Sequence, residues 1–347
     1  MAKTRKKNAQ PPTSGPVRGE TQARPRPTSP GSNRGPNRNT GRNIRRRATR
    51  QRRSLWLLIG GILLAFLAVI GIFIYVGQQN QAPGASGPTD PEVLKAVTSI
   101  DPATLSTVGD GGVQPFLKAT QNKPPILTGA NGKPKIFYSG AEFCPYCAGE
   151  RWALVVALSR FGTFSALPQT TSAAEDSPPN LSTVSFYGSK YQSNYIDLDT
   201  VEQFTNKRSG NFYEPLQTPT SEQQQLINTY NGSPYIDKQY AGGFPFVDIA
   251  NQYLAIGPSF NVEVISNLSQ KQIAEKLSDS SSDVSKSILG VANTFTAAIC
   301  KATNNQPASV CKADPIPALQ QALPKAQDSD QLAMSQAPEA LFPRRED

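Results

Sequence analysis

The hydrophobic positions of this chain change period several times, and each change marks an element. One run has no period at all. Residues 55–76, which begin at Leu55 and end at Val76, are 22 consecutive residues without a charge, long enough at 1.5 Å per residue to cross about 33 Å of hydrocarbon. A soluble helix rarely stays apolar on every face for so long, and Trp56 and Tyr75 lie near the two ends, where interfacial aromatics sit. The expectation is one transmembrane helix over 55–76. A cleaved signal peptide is the competing reading, but the run exceeds an h-region and no small-x-small site follows it.

Further along, the pattern alternates between strand and helix periods. Pro91 to Val97 predicts a short helix with Asp90 as its cap. Residues 125–128 read as a short strand before the Asn131-Gly132 turn, and Ile136-Phe137-Tyr138 as a stronger one. Leu154, Val155, Leu158 and Phe161 recur at helical spacing and predict a helix over 147–160. Residues 165–181 read as a Pro/Ser/Thr loop, 183–187 and 194–201 as strands, and 221–230 as a polar helix stopped by Asn231-Gly232. Phe246-Val247-Asp248-Ile249 and Tyr253-Leu254-Ala255-Ile256 flank a three-residue turn and predict a hairpin. Ser269-x-x-Gln272 is a capping box for a helix over 270–278, and Ile288, Val291, Ala292, Phe295 and Ile299 share one face of a last helix over 284–302.

Charge sharpens this division. The net charge of +9 is not spread evenly: residues 1–54 carry 16 Lys/Arg against the single acid Glu20, and the remainder carries 19 against 25. The first segment is rich in Pro, Gly, Asn, Arg and Ser and has too few large apolar side chains to offset chain entropy, so it reads as a disordered basic tail. No aromatic side chain is interleaved with its arginines for base stacking, and no nucleic acid is expected as a partner. Topogenic charge beside a membrane explains it instead. The positive-inside rule then predicts a single-pass protein of the cell membrane, with 1–54 cytoplasmic and the main domain extracytoplasmic. Residues 77–89 read as a flexible linker, 90–315 as one α/β domain, and 316–347 as a disordered tail of Pro, Ala, Gln and charge.

Phe143-Cys144-Pro145-Tyr146-Cys147 falls at the junction between the strand at 136–138 and the helix that follows. Two thiols three residues apart can form a reversible disulfide, and the first lies where a helix N-terminus favours the thiolate, the nucleophile of disulfide exchange. An inert staple and half of a zinc site are the alternatives. So small a loop constrains little chain entropy, which weakens the staple. The chain contains no His, and its other two cysteines are separated by ten intervening residues, which is not a zinc spacing. No metal and no cofactor are expected.

A strand, Cys-Pro-Tyr-Cys and a helix, with Gly243-Phe244-Pro245-Phe246-Val247 opening a later hairpin, resemble the thioredoxin fold. The resemblance implies a three-layer α/β/α domain with a long insertion, preceded by the transmembrane helix, and a cis-proline against the thiols at Pro245. The insertion follows from the 98-residue separation of Pro245 from Cys147. The segment 136–153, together with Ser185-Phe186-Tyr187-Gly188-Ser189 and the stretch from Ala298 through Cys300 to Cys311, is similar to a membrane-anchored bacterial and archaeal family catalogued as domain of unknown function family 929. That resemblance covers about residues 90–312 and carries a fold rather than a substrate.

On this reading Cys144, the exposed N-terminal thiol, attacks, Cys147 resolves, and Pro245 holds a substrate chain beside them. Pro145 suits the first helical turn, while Phe143, Tyr146 and Trp152 are expected around the motif. Tyr138 stands where the best-known thioredoxins have a buried Asp, which leaves Glu142 and Glu150 as the nearest carboxylates; Glu150 also reads as a solvated helix residue. Cys300 and Cys311 read as a structural disulfide that joins a helix end to the following loop, with about 3 kcal/mol of loop entropy behind it. The function expected is a membrane-anchored, extracytoplasmic thiol–disulfide oxidoreductase. Its partners would be the thiols or disulfides of exported or membrane proteins, a membrane or soluble redox partner, and membrane lipid through 55–76. A redox-inactive interaction module of the cell envelope is the alternative.

Overall fold

Hydrophobic alternation at the middle of the chain builds a sheet covered on both faces. In the computed structural model, which describes residues 87–325 together with Gly61, Ala68 and Val69, five strands form it: β1 (Leu117–Ala119), β2 (Lys135–Gly140), β7 (Asp197–Glu202), β10 (Phe246–Ile249) and β11 (Tyr253–Ile256). Their order is β1-β11-β10-β2-β7. β2 and β7 are parallel and the other neighbours antiparallel, with Phe246 opposite Ser139 and Lys135 opposite Asp197. The sheet is mixed.

β2 is buried along its whole length, as an interior strand between two neighbours should be. Successive side chains point to opposite faces. Ile136 and Tyr138 join the larger core with α3 (Pro145–Ser159), α5 (Gln270–Leu277) and α6 (Asp283–Ala302), whereas Phe137 meets Leu226, Ile227 and Tyr230 of α4 (Ser221–Tyr230). Val247 and Ile249 of β10 go to the first side and Phe246 to the second. The sheet is thus flanked by helices on both faces. α3 is buried all round, so its apolar residues form no stripe, and Glu150 and Arg151 are buried among them.

Caps set the helix ends. α4 and α5 each begin with a complete capping box, Thr220 with Gln223 and Ser269 with Gln272, and α6 begins at Ser282, whose hydroxyl accepts from Ser285 N. The hairpin of β10 and β11 lies where the sequence pattern predicts it. Asp90 caps α1 (Pro91–Thr98), and Asp101 does the same for α2 (Pro102–Val108), a helix the pattern did not suggest.

Differences concentrate between 162 and 216. The expected loop over 165–181 holds the end of β3 (Gly162–Ala166) and all of β4 (Gln169–Thr171), which pair with β6 (Lys190–Ser193) and β5 (Ser182–Val184). β8 (Phe204–Ser209) and β9 (Phe212–Pro215) form a further hairpin. β5 overlaps the strand read at 183–187 and is largely buried, whereas the remaining ribbons are short and mostly polar, so no period-two apolar signal marks them. The strand read at 125–128 is reduced to one bridge between Thr128 and Pro134. Residues 316–325, read as part of a disordered tail, contain α8 (Ile316–Ala322), with Ile316 fully buried and Leu323 in the same core. α7 (Ala308–Cys311) precedes it, and a disulfide joins its Cys311 to Cys300 at the end of α6.

The basic segment 1–54, the apolar run 55–76 apart from Gly61, Ala68 and Val69, the linker positions 77–86 and the positions 326–347 lie outside the described residues. Among the described residues no helix is long and apolar enough to cross a membrane.

The Cys300–Cys311 bond spans 11 residues of sequence and lies between α6 and the α7–α8 extension. Replacing both cysteines by alanine is expected to lower unfolding stability by about 3 kcal/mol. Urea denaturation of the oxidised full chain beside the double variant checks this, and superimposable transitions would refute it.

Candidate functional site

The two remaining cysteines are free and neighbouring, at the point where β2 delivers the chain to α3. Cys144 is the helix N-cap and Pro145 takes the first helical position, where its missing N–H costs nothing. The backbone N–H of Cys147 donates to Cys144 Sγ at 3.3 Å, so a thiol fills the place that a Ser or Asp oxygen usually holds. Opposite, the carbonyl oxygen of Phe244 lies 4.0 Å from Cys144 Sγ. The Phe244–Pro245 peptide is cis, and Pro245 leads directly into β10. The residues singled out around Pro245 and around the two cysteines are therefore adjacent in space.

Cys144 is not the exposed thiol expected from sequence. Only 5% of its surface is accessible, and Cys147 has none. The cause is an aromatic cover: Phe143, Tyr146, Phe204 and Phe244 pack against Ala141, Cys144 and Cys147. Phe143 stacks on Tyr213 with ring centroids 4.0 Å apart, and Phe212, 49% exposed, meets Phe204 edge-on at 4.9 Å. Three of these rings belong to the hairpin of β8 and β9, which follows β7 after the single residue Gln203. Backbone bonds from Glu142 N to Phe204 O and from Gln203 N to Gly140 O, at 2.9 and 2.8 Å, tie that hairpin to the loop before the cysteines.

Beneath the thiols lies a buried polar cluster. Arg151, one helical turn after Cys147, has no accessible surface, and its Nη1 donates to both oxygens of Glu202 at 3.0 and 3.1 Å, to the Tyr138 hydroxyl at 3.2 Å and to the Ala141 carbonyl at 3.3 Å. Burial works against the guanidinium charge, but Glu202 and Tyr138 outweigh it and hold the side chain charged. Burial pushes the Glu202 carboxyl upward, with Arg151 opposing it, and pushes the Cys147 thiol and the Tyr138 hydroxyl well above their ordinary ranges. Tyr138 keeps its place because Gly140, two residues on along the same face, has no side chain: a Cβ there would sit 2.1 Å from the hydroxyl.

Glu142 is also buried, and neither of its oxygens makes a hydrogen bond of good geometry. Burial raises its carboxyl to about 7, opposed by the neighbouring Ser185 hydroxyl. The Ser185-Phe186 stretch thus returns to this place: Phe186 N donates to Glu202 at 3.4 Å, and the Phe186 ring meets Tyr138 edge-on at 4.9 Å.

Other expectations part from the site. Trp152 is fully buried in the larger core and donates from Nε1 to Ser182 O at 3.0 Å, away from the cluster around the thiols. Glu150 is not solvated: it is 1% exposed and accepts from Ser259 Oγ at 2.8 Å. Arg151 and Glu202 were missed. The i, i+4 spacing of Cys147 and Arg151 was a usable signal, whereas nothing local marks Glu202. Among the described residues no group of three or more His, Cys, Asp or Glu is arranged to hold a metal ion.

Burial raises the Glu150 carboxyl from an ordinary 4.5 to about 8. The unfolded chain loses this proton near the ordinary value, while the folded chain keeps it. The group's contribution is therefore fully present below about 4.5 and is lost as pH rises towards about 8. Glu150→Gln cannot titrate. Its stability relative to wild type is expected to rise by a few kcal/mol, at about 1.4 kcal/mol per unit, between pH values of about 5 and 8. Urea unfolding at both ends of that window checks this, and a constant gap would refute it.

No curated protein matches the chain, and no solved structure does. A family model matches residues 125–301, a span that holds β2, the cysteine pair, α3, Glu202, Pro245 and most of α6. Because that match covers just over half of the chain, the protein belongs to the family described as Domain of unknown function (DUF929).

Proposed function

We propose that the protein is a thiol–disulfide oxidoreductase on a thioredoxin-like fold, anchored in the cell membrane by residues 55–76 with its domain outside. The observation that carries the reading is the pair of free cysteines at the start of α3, with Cys147 N–H donating to Cys144 Sγ and the chain before Pro245 against that sulfur. A mixed sheet flanked by helices, with this junction at the end of an interior strand, supports the fold assignment.

Cys144 is the attacking thiolate. Its sulfur bonds to one sulfur of a partner disulfide while the other departs with the electron pair; Cys147 then attacks Cys144, the second substrate sulfur leaves, and the protein disulfide forms. Run backwards, the same steps oxidise a partner dithiol. Exported or membrane proteins are the substrates, and a membrane or soluble redox partner resets the pair. No cofactor enters these steps.

In cells, Cys147→Ser is expected to accumulate mixed disulfides through Cys144 that vanish on reduction, read on non-reducing gels. Absence of trapped species, together with no insulin reductase or dithiol oxidase activity of the purified full chain, sinks the reading.

The near-complete cover over Cys144 favours a second reading, a redox-inactive interaction module. Full rescue of a deletion phenotype by the Cys144→Ser/Cys147→Ser double variant would select it, and failure of that rescue would select the enzyme.

A further inference from the structure

Resolution of a mixed disulfide requires Cys147 to lose a proton in a place without solvent. The thiol has no accessible surface. The groups around it are Cys144 and Arg151 on its own helix, Tyr138 on β2 and Glu202 on β7, with Glu142 reaching the cluster through Arg151 and Glu202. Of these, the Tyr138 hydroxyl is coupled electrostatically to both the Cys147 thiol and the Glu202 carboxylate, and it accepts at 3.2 Å from Arg151 Nη1, the same nitrogen that donates to Glu202 at 3.0 Å. Arg151 Nε and Nη2 are buried without partners, so the guanidinium has further donors available within the cluster.

Charge decides what this cluster can do. With a neutral Cys147, Arg151 and Glu202 cancel. A Cys147 thiolate added to that pair would leave one uncompensated buried negative charge, a costly state. If the proton instead passes to Glu202, Arg151 faces the thiolate, Glu202 is neutral, and the net charge of the cluster is unchanged.

Resting on the oxidoreductase reading, we propose that Tyr138 is the catalytic hydroxyl through which Cys147 gives up its proton during resolution, with Arg151 and Glu202 as the positioning pair. The Cys147 proton moves to the Tyr138 oxygen as the Tyr138 proton moves to Glu202. The Cys147–Cys144 bond forms, the bond from Cys144 to the substrate sulfur breaks, and the substrate leaves as a thiolate with that electron pair. Two protein thiols are oxidised, one substrate disulfide is reduced, and one proton has moved from Cys147 to Glu202. Gly140 keeps this path open, since any Cβ there would meet the hydroxyl.

The test uses the reduced full chain in detergent, mixed with stoichiometric dithionitrobenzoate and followed by stopped flow. The first release of thionitrobenzoate reports attack by Cys144, the second reports resolution by Cys147. Tyr138→Phe and Glu202→Gln are expected to leave the first phase unchanged, to slow the second by about tenfold or more at neutral pH, and to move its pH–rate profile to higher pH. Circular dichroism identifies any variant that does not fold, and the two substitutions back each other. A second phase with wild-type rate and pH profile in a folded variant overturns the relay while leaving the oxidoreductase reading intact. Absence of a second phase in the wild type overturns both.

Discussion

A guanidinium without exposed surface constrains the centre of this domain. Burying a charge is costly unless it is matched and hydrogen-bonded, and Arg151 is matched by one carboxylate, one phenol and one backbone carbonyl. Those acceptors come from three places in the chain: β2, the loop before Cys144, and the end of β7. Arg151 itself belongs to α3, so a single side chain ties the cysteine-bearing helix to both parallel strands of the sheet. The first turn of α3, and with it the direction of both sulfurs, depends on that tie.

Above the thiols the constraint is apolar. Short ribbons in the region between 162 and 216 add little to the central sheet, yet one of them, the hairpin of β8 and β9, folds back towards the cysteines, with Phe204 packed on them and Phe212 and Tyr213 on Phe143. Cys144 thus lies between an aromatic roof and a charged floor. The floor carboxylate is the last residue of β7 and much of the roof comes from the hairpin after it, so Glu202 and Phe204 serve opposite sides of the same site across the break in the strand at Gln203.

Legibility in the sequence followed the range of the forces involved. The hairpin at 246–256 and the helices α4, α5 and α6 were readable because alternation, helical spacing and capping side chains act within a few residues. α8 was not: its composition argues for disorder, and it is ordered by Ile316 and Leu323 in a core supplied by distant segments, beyond a disulfide that ties the chain to α6. The polar ribbons escaped for a related reason. Apart from β5, short strands of mostly polar residues carry no apolar period, so their pairing leaves no trace in the pattern. At the site, Cys144 and Cys147 are legible by type and spacing, Glu142 by its place two residues before Cys144 and Pro245 through the resemblance to the thioredoxin fold, while Glu202 and the burial of Glu150 are invisible.

Residue order alone established the dithiol, its junction between a strand and a helix, the absence of histidine and the concentration of positive charge before an apolar run of membrane-spanning length. Each is a property of neighbours along the chain. Folding settled what surrounds the sulfurs: a roof that reduces Cys144 to 5% exposure, a cancelled pair of charges beneath Cys147, and a tyrosine hydroxyl in the gap above Gly140. These depend on residues about 50 to 100 positions apart meeting in one small volume, where burial determines how strongly each charge and hydroxyl is felt. Spacing can place two thiols side by side; only packing sets the solvent, charge and proton path around them.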